Sequence, residues 1–176
     1  IVIKNGSFTG NSYVGCLVGY ATNTIINNCH VINSNAKGLS NVGGLVGTII
    51  GEIYNCSSSG FVYADHREGG LVGSLFGTIQ NCYSNCSVKP FGIQTRTNYG
   101  GLIGEAIGII LSEAIDIVNN CYSIGNVEMG TYDPHYTFGG YYGGISIGYA
   151  WNVNVSYTYA LQSGSFPFLA VSEEGV

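Results

Sequence analysis

Charge is what this sequence has least of. Only 9% of its 176 residues are Asp, Glu, Lys or Arg, against roughly 25% in an ordinary soluble domain. Intrinsic disorder is excluded all the same, because it needs few apolar residues and 45% here are apolar. Bases are the scarcest: 5 Lys and Arg stand against 10 Asp and Glu, for a formal charge of −5. No basic patch can form, which excludes a nucleic-acid partner. Ala, Glu, Lys, Leu and Arg do not dominate, so a coiled coil is ruled out. No apolar run approaches the ~18 residues of a membrane-spanning helix; the most apolar, Ile107 to Leu111, is far shorter. No leader is visible either. A chain that begins at Ile1 reads as a mature or excised piece of something longer.

What the sequence does have is glycine, 28 residues of it, with 14 Tyr and 6 Cys. The glycines do not fall every third residue, so this is not collagen. They fall in a repeat. Gly15-Cys-Leu-Val-Gly19 is followed by Gly43-Gly-Leu-Val-Gly47, Gly69-Gly-Leu-Val-Gly73 and Gly100-Gly-Leu-Ile-Gly104. A degraded fifth copy spans Gly143 to Gly148, with Gly144 and Ile145 at the glycine and leucine places. After each of the first four comes a second signature: Ile26-Asn-Asn-Cys29, Ile53-Tyr-Asn-Cys56, Ile79-Gln-Asn-Cys82 and Val118-Asn-Asn-Cys121. In the fifth, Val155 takes the place of the cysteine. Leu17, Leu45 and Leu71 lie 28 and 26 residues apart. The fourth and fifth units are longer, with insertions around 106–116 and 128–136, which are expected to be loops on one face or edge.

Glycine this dense argues against helical repeats, since each mid-helix Gly costs about 1 kcal/mol relative to Ala. The leucine-rich repeat frame is absent. Short β-rich runs cut by Gly every few residues read as strands bounded by turns. The expected fold is therefore all-β: a single β-solenoid over 1–176, a right-handed parallel β-helix of about five irregular coils, with an aromatic-rich C-terminal coil at 130–160. Stacked coils would place Gly15, Gly43, Gly69 and Gly100 in one ladder, and Gly19, Gly47, Gly73 and Gly104 in another. Leu17, Leu45, Leu71, Leu102 and Ile145 should form a buried ladder.

These cores, followed by Asn-Cys-(Tyr/Ser)-Ser, resemble the GLUG-motif repeat family over roughly residues 14 to 160. The departures are Cys16 for the second Gly, the long fourth unit and the degraded fifth. The resemblance implies a structural or adhesive module of large secreted or surface-anchored proteins. These include adhesin-like proteins, the non-catalytic part of some IgA-cleaving metallopeptidases and surface proteins of some protists. It carries over no catalytic residue and no cofactor. It implies an extracellular or cell-surface location.

Each chemically able side chain has a plainer reading beside a functional one. Cys29, Cys56, Cys82 and Cys121 share one repeat position, close enough for disulfides by spacing, yet parallel side chains suit a disulfide poorly. An interior ladder of free thiols is the favoured reading. No Cys-x-x-Cys pair or His-Glu-x-x-His exists, so no metal is expected. Asn28, Asn55, Asn81 and Asn120 fall on the opposite face of their strand or at its corner, where they can stack. His66, in Asp65-His-Arg-Glu68, and His135 read as solvated loop residues. Asn-x-Ser sequons stand at Asn5, Asn55, Asn85 and Asn154. The acids and the five bases are too scattered to serve a polysaccharide lyase or hydrolase, so no enzyme activity is expected. The aromatics Tyr132, Tyr136, Tyr141, Tyr142, Tyr149 and Trp151 either fill a wide last coil or contact glycans or proteins.

Two functional classes result. One is a non-enzymatic structural or adhesive repeat whose partners are neighbouring repeats, or identical subunits stacked through the solenoid ends. The other is a carbohydrate-binding or polysaccharide-processing β-helix.

Overall fold

The computed structural model describes residues 1–90, 97–108, 117–128, 141–144, 147–151 and 153–160, with the backbone alone described at 97, 141–144 and 159. The chain opens with β1 (Val2–Lys4) and β2 (Ser7–Thr9). It then winds through successive coils. The first is β3 (Ser12–Gly15), β4 (Val18–Asn27) and β5 (His30–Lys37). The second is β6 (Ser40–Gly43), β7 (Val46–Tyr54) and β8 (Ser57–Ala64). The third is β9 (His66–Gly69), β10 (Val72–Gln80) and β11 (Tyr83–Pro90). The fourth is β12 (Thr97–Gly100), β13 (Ile103–Ile107), β14 (Ile117–Asn119) and β15 (Tyr122–Ser123). The fifth is β16 (Tyr141–Gly144), β17 (Ile147–Trp151), β18 (Asn154–Ser156) and β19 (Tyr159–Ala160).

Every strand pairs in parallel with its equivalent one coil away, which makes the chain an all-β solenoid. Three sheets result. One joins β1 and β2 to β5, β8, β11, β15 and β19; a second joins β4, β7 and β10 to β13, β14, β17 and β18. The third is the narrow one, β3-β6-β9-β12-β16. Among the described residues no helix is long and apolar enough to cross a membrane.

Ladders fill the interior as the repeat demands. Val46, Val72, Ile103 and Ile147 are in register and fully buried, and so are Ile53, Ile79 and Val118. Leu45, Leu71 and Leu102 are 0% exposed. Each such side chain contributes about 1.5–3 kcal/mol relative to an exposed one. Leu17 differs: it is only partly buried, because no coil lies on its outer side among the described residues. Ile145 lies outside the described residues. Gly100 pairs with Gly144 and Ile103 with Ile147.

Of the expected insertions, Ala106 and Ile107 belong to β13, Gly108 and Glu128 are described without strand structure, and 109–116 and 129–136 lie outside the described residues. The opening segment forms two strands. They are separated at Asn5, whose φ of 54° puts it in the left-handed region.

Candidate functional site

The repeat signature builds a corner where two sheets meet backbone to backbone. A Cβ on Gly43 would strike the carbonyl oxygen of Val46 in its own coil. It would also lie 2.8 Å from both Leu71 O and Gly73 N in the next coil. Gly73 sits 2.6 Å from Val42 N by the same measure, and Gly104 2.7 Å from Glu68 N. The first glycine of each signature therefore faces the following coil and the second faces the preceding one. Only residues without a Cβ allow this approach. Amides then link the leucines directly: Leu17 N donates to Leu45 O at 3.0 Å, Leu45 N to Leu71 O at 2.9 Å and Leu71 N to Leu102 O at 2.8 Å. Gly148 packs on the Tyr99 backbone as Gly104 does on that of Glu68.

The second corner explains the asparagines and cysteines. Asn28, Asn55, Asn81 and Asn120 have φ of 54°, 54°, 55° and 50°. They turn the chain in the left-handed region that Asn tolerates best among residues with a Cβ. Their exposed amides link up the axis, Asn81 Nδ2 donating to Asn55 Oδ1 at 3.3 Å and Asn120 Nδ2 to Asn81 Oδ1 at 2.7 Å. The next residue points its thiol inward. Cys56 Sγ donates to Tyr54 O at 3.0 Å, Cys82 Sγ to Gln80 O at 3.1 Å and Cys121 Sγ to Asn119 O at 3.1 Å. Each sulfur can also accept from the coil before, Cys29 N to Cys56 Sγ at 3.4 Å and Cys56 N to Cys82 Sγ at 3.3 Å. The thiol thus satisfies corner groups that would otherwise be orphaned.

In the fifth coil the structure corrects the sequence alignment. Val155 pairs with Val118, so it continues the isoleucine ladder and not the cysteine one. Thr158 takes the cysteine place: its Oγ1 donates to Ser156 O at 3.0 Å and lies 3.5 Å from Val118 O. Tyr157 before it holds the left-handed turn at φ 46°.

All six cysteines are free and buried. Burial pushes the Cys86 thiol up to about 11. Burial, with nearby Cys86, pushes Cys16 up to about 12. Adjacent Cys121 and Cys56, then burial, raise Cys82 as well. Those three thiols are held neutral, whereas hydrogen bonding with Cys82 lowers Cys121 and brings Cys56 down to about 7. Titration of the denatured, unreduced protein is expected to find four or more free thiols; two or fewer would make this an oxidised, stapled solenoid.

The remaining candidates are dispersed. His30, half-buried, lies 2.8 Å by Nδ1 from Ser57 Oγ and 3.1 Å by Nε2 from Asn28 Oδ1. His66 is not in a solvated loop: it opens β9 and is half-buried. His135, Tyr132 and Tyr136 lie outside the described residues. Tyr141 and Tyr142 contribute backbone to β16, paired with Thr97 and Asn98. Tyr149 and Trp151 are half-buried on β17, in register with Glu105 and Ile107. Asn5, Asn55, Asn85 and Asn154 are all exposed. Among the described residues no cluster of His, Cys, Asp or Glu could hold a metal ion.

Two features escaped the sequence reading. One is a polar seam outside the glycine corner, where three of the four residues that precede a buried short-strand side chain reach the residue seven further on. Tyr13 meets Tyr20 edge to face at 5.5 Å, and Asn41 Nδ2 donates to Thr48 Oγ1 at 3.0 Å. Asn98 Nδ2 donates to Glu105 Oε1 at 3.0 Å, and Arg67 Nε lies 2.6 Å from Glu105 Oε2. The spacing of seven in the first, second and fourth coils was the available signal. The other is Glu68, fully buried in the narrow sheet.

The first coil presents an edge. Among the described residues, β1 and β2 before it pair only with β5, and its own β3 and β4 pair only with the second coil. Beside β3 lies a groove of about 430 Å³ lined by Phe8, Tyr13, Val14, Gly15 and Gly19 among others. Lys4 is the single charge before Cys29. Exposed apolar side chains gather there, with Ile1 at 73% and Ile25 at 65%.

The family described as the GLUG motif matches residues 38–62, the second glycine corner with its flanking strands. No curated protein and no solved structure matches the chain.

Proposed function

We propose, from the chain's place among the GLUG-motif repeats, that it is a non-enzymatic structural or adhesive module of an extracellular surface protein. It works by stacking on further coils, whether of its parent chain or of identical subunits. No catalytic role is assigned to any side chain. The uncovered edge of the first coil carries this reading. Natural sheet edges are blunted by charge, proline, bulges or covering segments. Here the edge has one lysine, no proline, and a single irregularity at Thr22/Thr24, where Asn23 takes φ 51°. The groove beside β3 is lined in part by Gly19, the repeat equivalent of Gly47, which in the next coil packs on Tyr13 and Val14 of the coil before it.

Light scattering over a concentration series, with negative-stain microscopy, tests it. The expected result is concentration-dependent growth into end-to-end particles of constant width. A monodisperse monomer at high concentration would sink the stacking reading.

The rival reading is glycan contact. It is favoured by exposed tyrosines on the outer face of β11 and β15, where the Tyr83 and Tyr122 rings stack at 5.0 Å. Binding to a glycan array, without self-association, would favour it.

A further inference from the structure

Glu68 occupies a place shaped for an apolar side chain. Its register partner on one side is Val42, which is itself paired with Val14, and on the other is Tyr99. Like Val42 and Tyr99 it is 0% exposed. Both carboxyl oxygens are buried without a hydrogen-bond partner among the described residues. Adjacent Arg67 does not neutralise it. That residue takes φ 53°, and its guanidinium lies on the outer seam against Glu105.

The elements packed around β9 offer little else. They carry Tyr63 on β8, Tyr99 on β12, Glu105 on β13 and Tyr149 on β17, while β6 and β10 carry no ionisable group. Asp65 and His66 flank the position in sequence. An unpaired carboxylate in such a site loses its hydration without compensation, so it takes up a proton instead. Burial, with repulsion from Asp65, outweighs the favourable Ala64 backbone and holds the Glu68 carboxyl well above the usual carboxylate range.

We propose that Glu68 is folded in as the neutral acid and that its ionisation loosens the narrow sheet at the third coil, making the solenoid weaken as pH rises. This stands apart from the stacking reading, because it concerns the interior of a single chain. The sign follows from proton binding. The folded acid keeps its proton to higher pH than the unfolded one. Its contribution is complete below the unfolded carboxyl range and is lost as pH climbs toward the folded titration point. Through that window the unfolding constant grows by at most tenfold per pH unit, the limit for one proton. Ordinary carboxylates, ionised and paired in the fold, act in the opposite direction.

Denaturant unfolding from pH 4 to 9 tests it on the wild type, Glu68→Gln, and Glu68→Val, which repeats Val14 and Val42. The wild-type unfolding constant, taken relative to Glu68→Gln, should climb with pH toward that limit, and amide protection in β9, corrected for the intrinsic rise of exchange with pH, should fall in the wild type alone. Parallel profiles for wild type and Glu68→Gln would overturn the proposal. Should either variant fail to fold, a carboxyl ¹³C titration of the wild type decides. A Glu68 signal still protonated well above the ordinary Glu value near 4.3 supports the proposal, and one that titrates there overturns it.

Discussion

Leu71→Ala is expected to destabilise the solenoid by about 2–5 kcal/mol, the usual range for truncating a buried leucine. Leu71 is 0% exposed. Its amide donates to Leu102 O at 2.8 Å and its carbonyl accepts from Leu45 N at 2.9 Å, so it links three successive coils. The side chain has little room to be replaced, because the backbones around it are held by glycine contacts and cannot collapse onto the cavity. Chemical denaturation measures the effect. A loss below about 1 kcal/mol would mean that the ladder is not the stabilising core. Leu17→Ala is the built-in comparison: its side chain is only partly buried, so its truncation should cost less.

Gly43→Ala should be worse. The added Cβ strikes Val46 O within its own corner and sits 2.8 Å from Leu71 O and Gly73 N in the next coil. Those atoms are backbone, so relief requires moving two coils apart along the axis. The cost should exceed the ~1–3 kcal/mol typical of overpacking against side chains. Thermal unfolding followed by far-ultraviolet circular dichroism would register it as loss of the cooperative transition or a large fall in Tm. Gly10→Ala is the control, since its Cβ would meet only Val14 Cγ2, at 3.0 Å. Equal behaviour of the two variants would show that the corner yields more easily than its close packing suggests.

The ladders were legible in the sequence because stacking imposes periodicity: whatever one coil needs, the next needs too. The leucines, paired glycines and Asn-Cys steps recur for that reason, and the solenoid followed from them. The reading failed where one coil departs from its neighbours. Asp65-His-Arg-Glu68 looks solvated by composition. Yet Val14, Val42, Glu68 and Tyr99 each stand immediately before the first glycine of their signature, and that count, rather than polarity, decides burial. A left-handed residue precedes the first three, Tyr13, Asn41 and Arg67, with φ of 56°, 56° and 53°. It breaks simple alternation and sends Arg67 outward while Glu68 turns in. The fifth coil misled for a related reason. The cysteine place requires a small donor that reaches a carbonyl, and Thr158 meets that need without sulfur. An alignment keyed to apolarity chose Val155 instead.

All strand pairings here are parallel, and this has a consequence for symmetry. The two ends of the coil are different surfaces: the second glycine of each signature looks one way along the axis and the first looks the other. Two copies meeting through like ends would bring their strands together antiparallel, a pairing found nowhere among the described strands. Copies meeting through unlike ends form a heterologous contact. Such a contact closes into a ring only if its rotation allows, and otherwise propagates. A stack of this kind has direction, has no built-in last member, and takes its length from concentration and from whatever segment finally covers the growing edge.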